Sequence, residues 1–411
     1  MRTSSAAALL PLLFVLTAAS PVEVQQWRKQ ADRANITRDD WGIAHVRGKT
    51  DADAVFGMIY AQAEDDFPRI EANYLTNLGR TAEADGEKAI WQDLRARLYV
   101  SEDGLKANYA ASPDWLKKLM NSWAAGLNYY LATHPNVHPR VLTRFEPWMA
   151  LSFTEGSIGG DIERIDLRDL QKFYAGKPTL AATVKDLEPR GSNGIAIAPS
   201  ITARGTGPLL LINPHTSFFF RSELQVTSDE GLNAYGAATW GQFFIYQGFN
   251  ERTGWMHTSS GVDNVDEFAY EVRQPELGPR YRFGSQWRVM DQRPVTIRYR
   301  KADGSFGERG FATYHTHRGP IVRSELTSSC SPSPRKDQRI CWIAFAMMDK
   351  PLEALQQSFL RTKTRDLKDF LKVADLKANS SNDTVFASAK GEVAMLMPQF
   401  MPRRDDSFDY T

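Results

Sequence analysis

Apolar residues in the first half of the chain recur at three- and four-residue steps. Leu116, Leu119, Met120, Trp123, Leu127 and Tyr130 form one such stripe, opened by Pro113-Asp114-Trp115 and closed by His134-Pro135. That period puts them on one face of a helix. Thr50-Asp51-Ala52-Asp53 caps an earlier helix whose apolar positions include Val55, Met58, Ile59 and Ala63, and a second helical stretch runs through Ile70, Tyr74 and Leu78. Two short strands around a turn are predicted over 34–46. Near Gly191 the pattern changes, and the runs at 209–212, 243–246 and 295–299 read as strands. Helical periodicity returns over 351–374, and 384–387 with 391–395 predicts a hairpin. No internal repeat is visible. The segment 172–189 is the one stretch between the halves expected to be dispensable.

Composition narrows the class. The 411 residues carry 50 basic and 49 acidic side chains without a long basic run, so neither nucleic acid nor an anionic membrane surface is an expected partner. Hydrophobic content of 42% with 11% aromatics is that of a folded globular protein. Arg2, an apolar stretch over 6–19 and the small residues Ala18-Ala19-Ser20 read as an export signal, too short for a membrane anchor. The two cysteines, Cys330 and Cys341, are local to each other, which in an exported chain predicts a disulfide closing a surface loop. His315 and His317 lack ligand-like spacing to both thiols, so a metal site there is not expected.

The candidate chemistry sits in Arg190-Gly191-Ser192-Asn193, directly before the apolar run Ile195-Ala196-Ile197. A Gly-Ser turn entering a strand would explain the tripeptide by itself. Breaking the bond before Ser192, however, gives one residue both a hydroxyl nucleophile and a free α-amine to serve as its base. Gly191 suits such a cut, having no side chain to crowd the attack.

Further segments carry a resemblance. They are Arg38-Asp39-Asp40-Trp41-Gly42-Ile43-Ala44-His45-Val46, the run from Asp53 to Asp65, Asn213-Pro214-His215, the run from Gly248 to Thr258, and Asp263-Asn264-Val265-Asp266-Glu267-Phe268. With Gly191-Ser192-Asn193 they make the chain resemble the penicillin acylase family of N-terminal-nucleophile hydrolases along nearly its whole length. The resemblance implies an α+β, four-layer αββα sandwich with a helical first half, two antiparallel sheets packed together and flanked by helices. It implies a signal peptide over 1–20, a mostly helical α-chain over 21–170, a spacer over 171–191 and the first part of a β-chain over 192–411. The two chains would stay together as a heterodimer after self-cleavage, in the periplasm or secreted.

The same resemblance assigns roles. Ser192 would be nucleophile and α-amine base, with Gly191 completing the processing site. His215 would orient Ser192, and the backbone amide of Ser259 would stabilise the oxyanion. Asp263, the Val265 carbonyl and Asp266, completed by Glu163 or Asp161, would bind a structural calcium ion; no organic cofactor is expected. Phe145, Trp148 and Met149 would face Phe219, Phe244, Tyr246, Gln247 and His257 across an acyl pocket. The substrate would be an amide between a hydrophobic acyl group and a small amine such as a β-lactam nucleus. One alternative is an acyl-homoserine-lactone acylase. Family precursors are longer, and their second oxyanion donor is an asparagine lying beyond the positions of Asn379 and Asn382. A chain truncated in its β-chain is therefore expected, and the alternative from another class is a non-catalytic remnant serving as a binding or scaffold protein.

Overall fold

A computed structural model of the chain describes residues 19–153, 161–176, 191–203, 205–216, 220–274, 278–327, 339–378, 382–397 and 401–407. Residues 1–18, Phe219, Cys330 and residues 177–190 of the expected spacer lie outside the described residues. Helices fill most of the chain up to Ala175: α1 (Pro21–Ala31), α2 (Asp51–Leu78), α3 (Ala82–Asp85), α4 (Ile90–Arg97), α5 (Glu102–Ala111), α6 (Asp114–Thr133) and α7 (Leu167–Ala175). Two more, α8 (Pro351–Arg361) and α9 (Leu367–Ala374), come late.

Thr50 starts α2 by accepting the Asp53 amide on Oγ1 at 3.1 Å. The two helical stretches read from the sequence are one element kinked at Asp66, where φ is −155°, just before Pro68. Val55, Met58, Ile59, Ile70 and Tyr74 are buried along it, and Trp123 and Leu127 of α6 pack on the same core. Gly126 permits the close approach of α6 to α2, since a Cβ there would lie 2.5 Å from Ile59 Cγ2. Each large apolar side chain fully buried here contributes roughly 1.5–3 kcal/mol.

This helix pair covers an eight-stranded sheet. Its strands, in spatial order, are β1 (Ala34–Arg38), β2 (Ala44–Gly48), β5 (Arg221–Ser228), β6 (Asn233–Thr239), β7 (Gln247–Asn250), β8 (Thr253–Ser259), β16 (Asn382–Ser388) and β17 (Val393–Leu396). Only β2 and β5 run parallel within it. On the other face lies a hairpin of β3 (Gly191–Ile197) and β4 (Leu209–His215). A second sheet joins β9 (Asp266–Arg273), β10 (Arg280–Phe283), β11 (Gln286–Val289), β14 (Ile321–Thr327) and β15 (Arg339–Ala346), beside a ribbon of β12 (Asp291–Arg300) and β13 (Phe306–His315). The fold is α+β, with helices, sheet and hairpin stacked in that order. The hairpin's outward face, where a further layer would lie, exposes Ile195, Leu209 and Leu211 at 54%, 59% and 48%.

Two readings change. Residues 243–246 form a buried loop instead of a strand, although Phe243, Phe244 and Ile245 are core residues. Side chains of the helices fix the backbone of the turn that leads into this loop. Tyr74 Oη and Trp123 Nε1 donate to the Gly241 carbonyl at 3.0 and 2.9 Å, and Gln62 brackets the Gly241 amide and Gln242 carbonyl, both at 2.9 Å. The helical run at 351–374 is two helices, because Asp366 caps a new one through the Asp369 amide at 2.8 Å. Cys341 is buried and disulfide-bonded. No helix among the described residues is long and apolar enough to cross a membrane.

Candidate active site

Gly191 opens β3 with φ +140°, a conformation that favours glycine, and a Cβ there would meet no atom within 4 Å. Its requirement is therefore conformational and not steric. The next residue turns its hydroxyl back on the peptide it follows: Ser192 Oγ donates to the Gly191 carbonyl oxygen at 2.5 Å. Ser192 Oγ itself accepts the His215 backbone amide at 3.3 Å, across the hairpin. The Ser192 carbonyl in turn accepts from Thr258 Oγ1 of β8 at 2.8 Å. Three strands thus fix the serine and the bond before it.

The side chains beneath it follow from register. Thr258 pairs with Asp383 and Met256 with Val385 across β8 and β16, and paired side chains share a face. Met256 and Val385 both meet Gly194, where a Cβ would lie 2.7 Å from Met256 Sδ and 2.9 Å from Val385 Cγ2. Thr258 and Asp383 therefore face the hairpin, under Ser192. Asp383 is 9% exposed and its Oδ1 has no hydrogen-bond partner among the described residues; burial pushes its carboxyl up. The Ser260 hydroxyl is likewise buried without a partner there. Neither Asp383 nor Thr258 carries a sequence signal of its own, since each gains its place only through strand pairing.

The remaining expected residues divide. Ser259 ends β8, one position after the threonine that holds Ser192, so its backbone is at the site. His215 reaches Ser192 through its amide, while its imidazole lies 3.3 Å from Asn193 Nδ2 on the hairpin's exposed face. His257 lies on the sheet face opposite Ser192, fully buried. Arg361 donates to its Nε2, so Nδ1 carries the proton and donates to Thr384 Oγ1 at 2.8 Å. Burial, then the Arg361 and Arg221 guanidiniums, hold this imidazole far below the usual histidine range. Gln247 Nε2 donates to the His257 carbonyl at 2.6 Å, and Tyr246 packs edge-on to its ring. Phe145, Met149 and Phe244 belong to the core between helices and sheet. Trp148 lines a cavity of about 390 Å³ with Arg80, Glu83, Arg97 and Arg298, remote in the fold from the hairpin. Phe145, Trp148, Met149, Phe244 and His257 thus sit on the helical side of the sheet and do not gather around Ser192. Gln247, by contrast, lies two positions before Phe249, which pairs with the hairpin-facing Gly254, and so is on the hairpin side.

The expected metal set holds a protein cation. Arg404 reaches Asp266 Oδ1 at 2.8 Å, Asp263 Oδ2 at 3.1 Å and the Asp263 carbonyl at 2.7 Å. Asp161 accepts from Asn264 at 2.9 Å, and the Val265 side chain is buried. Among the described residues no group of three or more His, Cys, Asp or Glu side chains is placed to hold a metal ion. Asp263, Val265, Asp266 and Glu163 as arranged here do not fit calcium, which wants six to eight oxygen ligands (roughly) and no cation among them.

Residues 33–410 match the family described as penicillin amidase. An acyl-homoserine lactone acylase PvdQ from Pseudomonas syringae pv. syringae is 25% identical over 92% of this chain and 52% of its own length. The penicillin acylase 2 proenzyme of a Pseudomonas species is 24% identical over 79% of this chain and 47% of its own. The chain thus spans about half the length of these relatives. Among solved structures, a thermostable penicillin G acylase from Alcaligenes faecalis covers 52% of this chain and 36% of its own, at 17% identity and a TM-score of 0.41. That superposition is too partial to carry an argument. The family match extends over nearly all of the sequence and includes the Gly191-Ser192 site, and the chain belongs to the penicillin amidase family.

Proposed function

We propose that the protein is a self-processing acylase whose nucleophile is Ser192, acting on amides between a hydrophobic acyl group and a small polar amine. The observation that carries this reading is the Ser192 hydroxyl held 2.5 Å from the carbonyl oxygen of the peptide it would cut. Attack of Oγ on the Gly191 carbonyl carbon moves the acyl group from nitrogen to oxygen. Water then hydrolyses the ester, leaving a Gly191 carboxylate and a Ser192 α-amine. That amine is the base for the hydroxyl beside it, and no separate histidine is needed. His257, buried across the sheet, has no part in this chemistry.

In turnover the same hydroxyl attacks the substrate carbonyl, and the Ser259 amide is the proposed donor to the oxyanion. A donor of this kind contributes about 3 kcal/mol in comparable sites. N-acyl homoserine lactones are the first substrate class to test, because several similar proteins are named for them; β-lactam amides are the second. The apolar leader supports export to the periplasm or medium, with the two halves remaining associated after the cut. Calcium is not part of the proposal.

Intact mass and N-terminal sequencing of the exported protein test it, beside Ser192→Ala. A fragment beginning at Ser192 in the wild type alone is expected. A wild-type chain that stays uncut would sink the reading and favour a non-catalytic binding or scaffold role.

A further inference from the structure

We propose that Asp383 is a positioning residue: its carboxylate is the partner of the α-amine that cleavage before Ser192 releases. This rests on the self-cleavage proposed above and adds a residue to it. The first support is register. Thr258 binds the Ser192 carbonyl at 2.8 Å and pairs directly with Asp383. The next inward-facing pair, Met256 and Val385, meets Gly194, two residues along β3. Strands β8 and β16 therefore run in step beneath the hairpin, and Ser192 lies over Thr258 and Asp383.

The second support is an unmet bond. Buried carboxylate oxygens are nearly always hydrogen-bonded. Asp383 Oδ1 is buried in the uncut chain and meets no donor among the described residues. Hydrolysis of the Gly191–Ser192 peptide consumes one water and yields a carboxylate and an ammonium. One peptide N–H becomes a charged group with three donors, beside the strand that carries Asp383. The cut itself creates the missing partner.

Charge elsewhere leaves this pairing unopposed. The described residues of β3 and β17 carry no ionisable side chain, and Thr258 is neutral. On β4 the His215 imidazole turns to the hairpin's outer face with Asn193. His257, Arg221 and Arg361 meet across the sheet, on the helical side. A carboxylate favours the charged form of a nearby amine, so the Ser192 amine is held as an ammonium to higher pH than an ordinary terminus.

The pH dependence of acetylation of the Ser192 α-amine, followed by mass spectrometry on the cleaved protein, reads this directly. The wild-type midpoint is expected above the ordinary α-amine range of about 7.7–8.0. Asp383→Asn should lower it by about one unit, a tenfold change in proton affinity, and Asp383→Glu should restore it. The acid limb of any acylase activity should move down with it, which a merely structural role would not cause. A wild-type midpoint within or below the ordinary range overturns the proposal even if the Asn variant fails to fold. An equal midpoint in the Asn variant also overturns it. If the wild type is not cut at all, both the self-cleavage and this inference fall; if it is cut with an ordinary amine, only this inference does.

Discussion

Gly191 and Ser192 do different work at adjacent positions, and each can be disturbed alone. Replacing Gly191 with Ala adds a side chain to a residue at φ +140° without creating a clash, so its cost is backbone strain of about 1–3 kcal/mol. Gly191→Ala should fold, with an unchanged circular dichroism spectrum, and cleave more slowly. Cleavage at the wild-type rate would show that this conformation does not matter to the cut. Thr258→Val removes the hydroxyl that fixes the Ser192 carbonyl and keeps the shape of the side chain. A net hydrogen bond is worth about 1 kcal/mol, so a roughly fivefold slower cut is expected in a time course on gels. The tripeptide itself was legible in the sequence, because glycine before serine before an apolar run is a local pattern. Thr258 and Asp383 were not, because their relation to Ser192 exists only once β8 pairs with β16 and the hairpin lies on both.

At the scale of elements, local pattern fails where tertiary partners fix the backbone. Residues 243–246 are as apolar as a strand, yet Gln62, Tyr74 and Trp123 pin the backbone of Gly241 and Gln242 just before them, and the Trp255 indole donates to the Tyr246 carbonyl, so the segment is held as a loop. The cation site shows the same limit. Two aspartates three positions apart read equally well as calcium ligands or as partners for an arginine, and the arginine comes from a segment far along the chain. The guanidinium supplies a fixed positive charge with several donors, which meets the electrostatic demand of both carboxylates. Neither calcium nor a chelator should therefore change Tm in the wild type. Arg404→Gln should lower Tm and leave an acidic loop to which added calcium restores stability. A wild-type Tm that falls on chelation would mean that Arg404 gives way to a metal.

For the whole molecule, acid is the informative stress, because buried groups of opposite sign respond to it differently. His257 lies well below the usual histidine range, and burial holds His315 down to about 4. Unfolding lets both take up protons near pH 6.5. Their contribution is complete above that pH and is lost as pH falls, at about 1.4 kcal/mol per unit for each group. Asp93 works against them. Burial raises its carboxyl to about 6, so the folded chain binds a proton there that the unfolded chain does not, and stability is gained as pH falls through that range. Glu23, lowered to about 2 by its bond to Arg144, matters only in stronger acid. Between pH 7 and 5 the histidines outweigh Asp93, and the unfolding free energy from urea titrations should drop by about 2 kcal/mol. His315→Gln should remove most of that drop, since among the described residues the His315 ring bonds only Thr313 Oγ1 and glutamine can keep that bond. An undiminished drop in His315→Gln would place the proton uptake at His257, on the arginine-lined face of the sheet opposite Ser192.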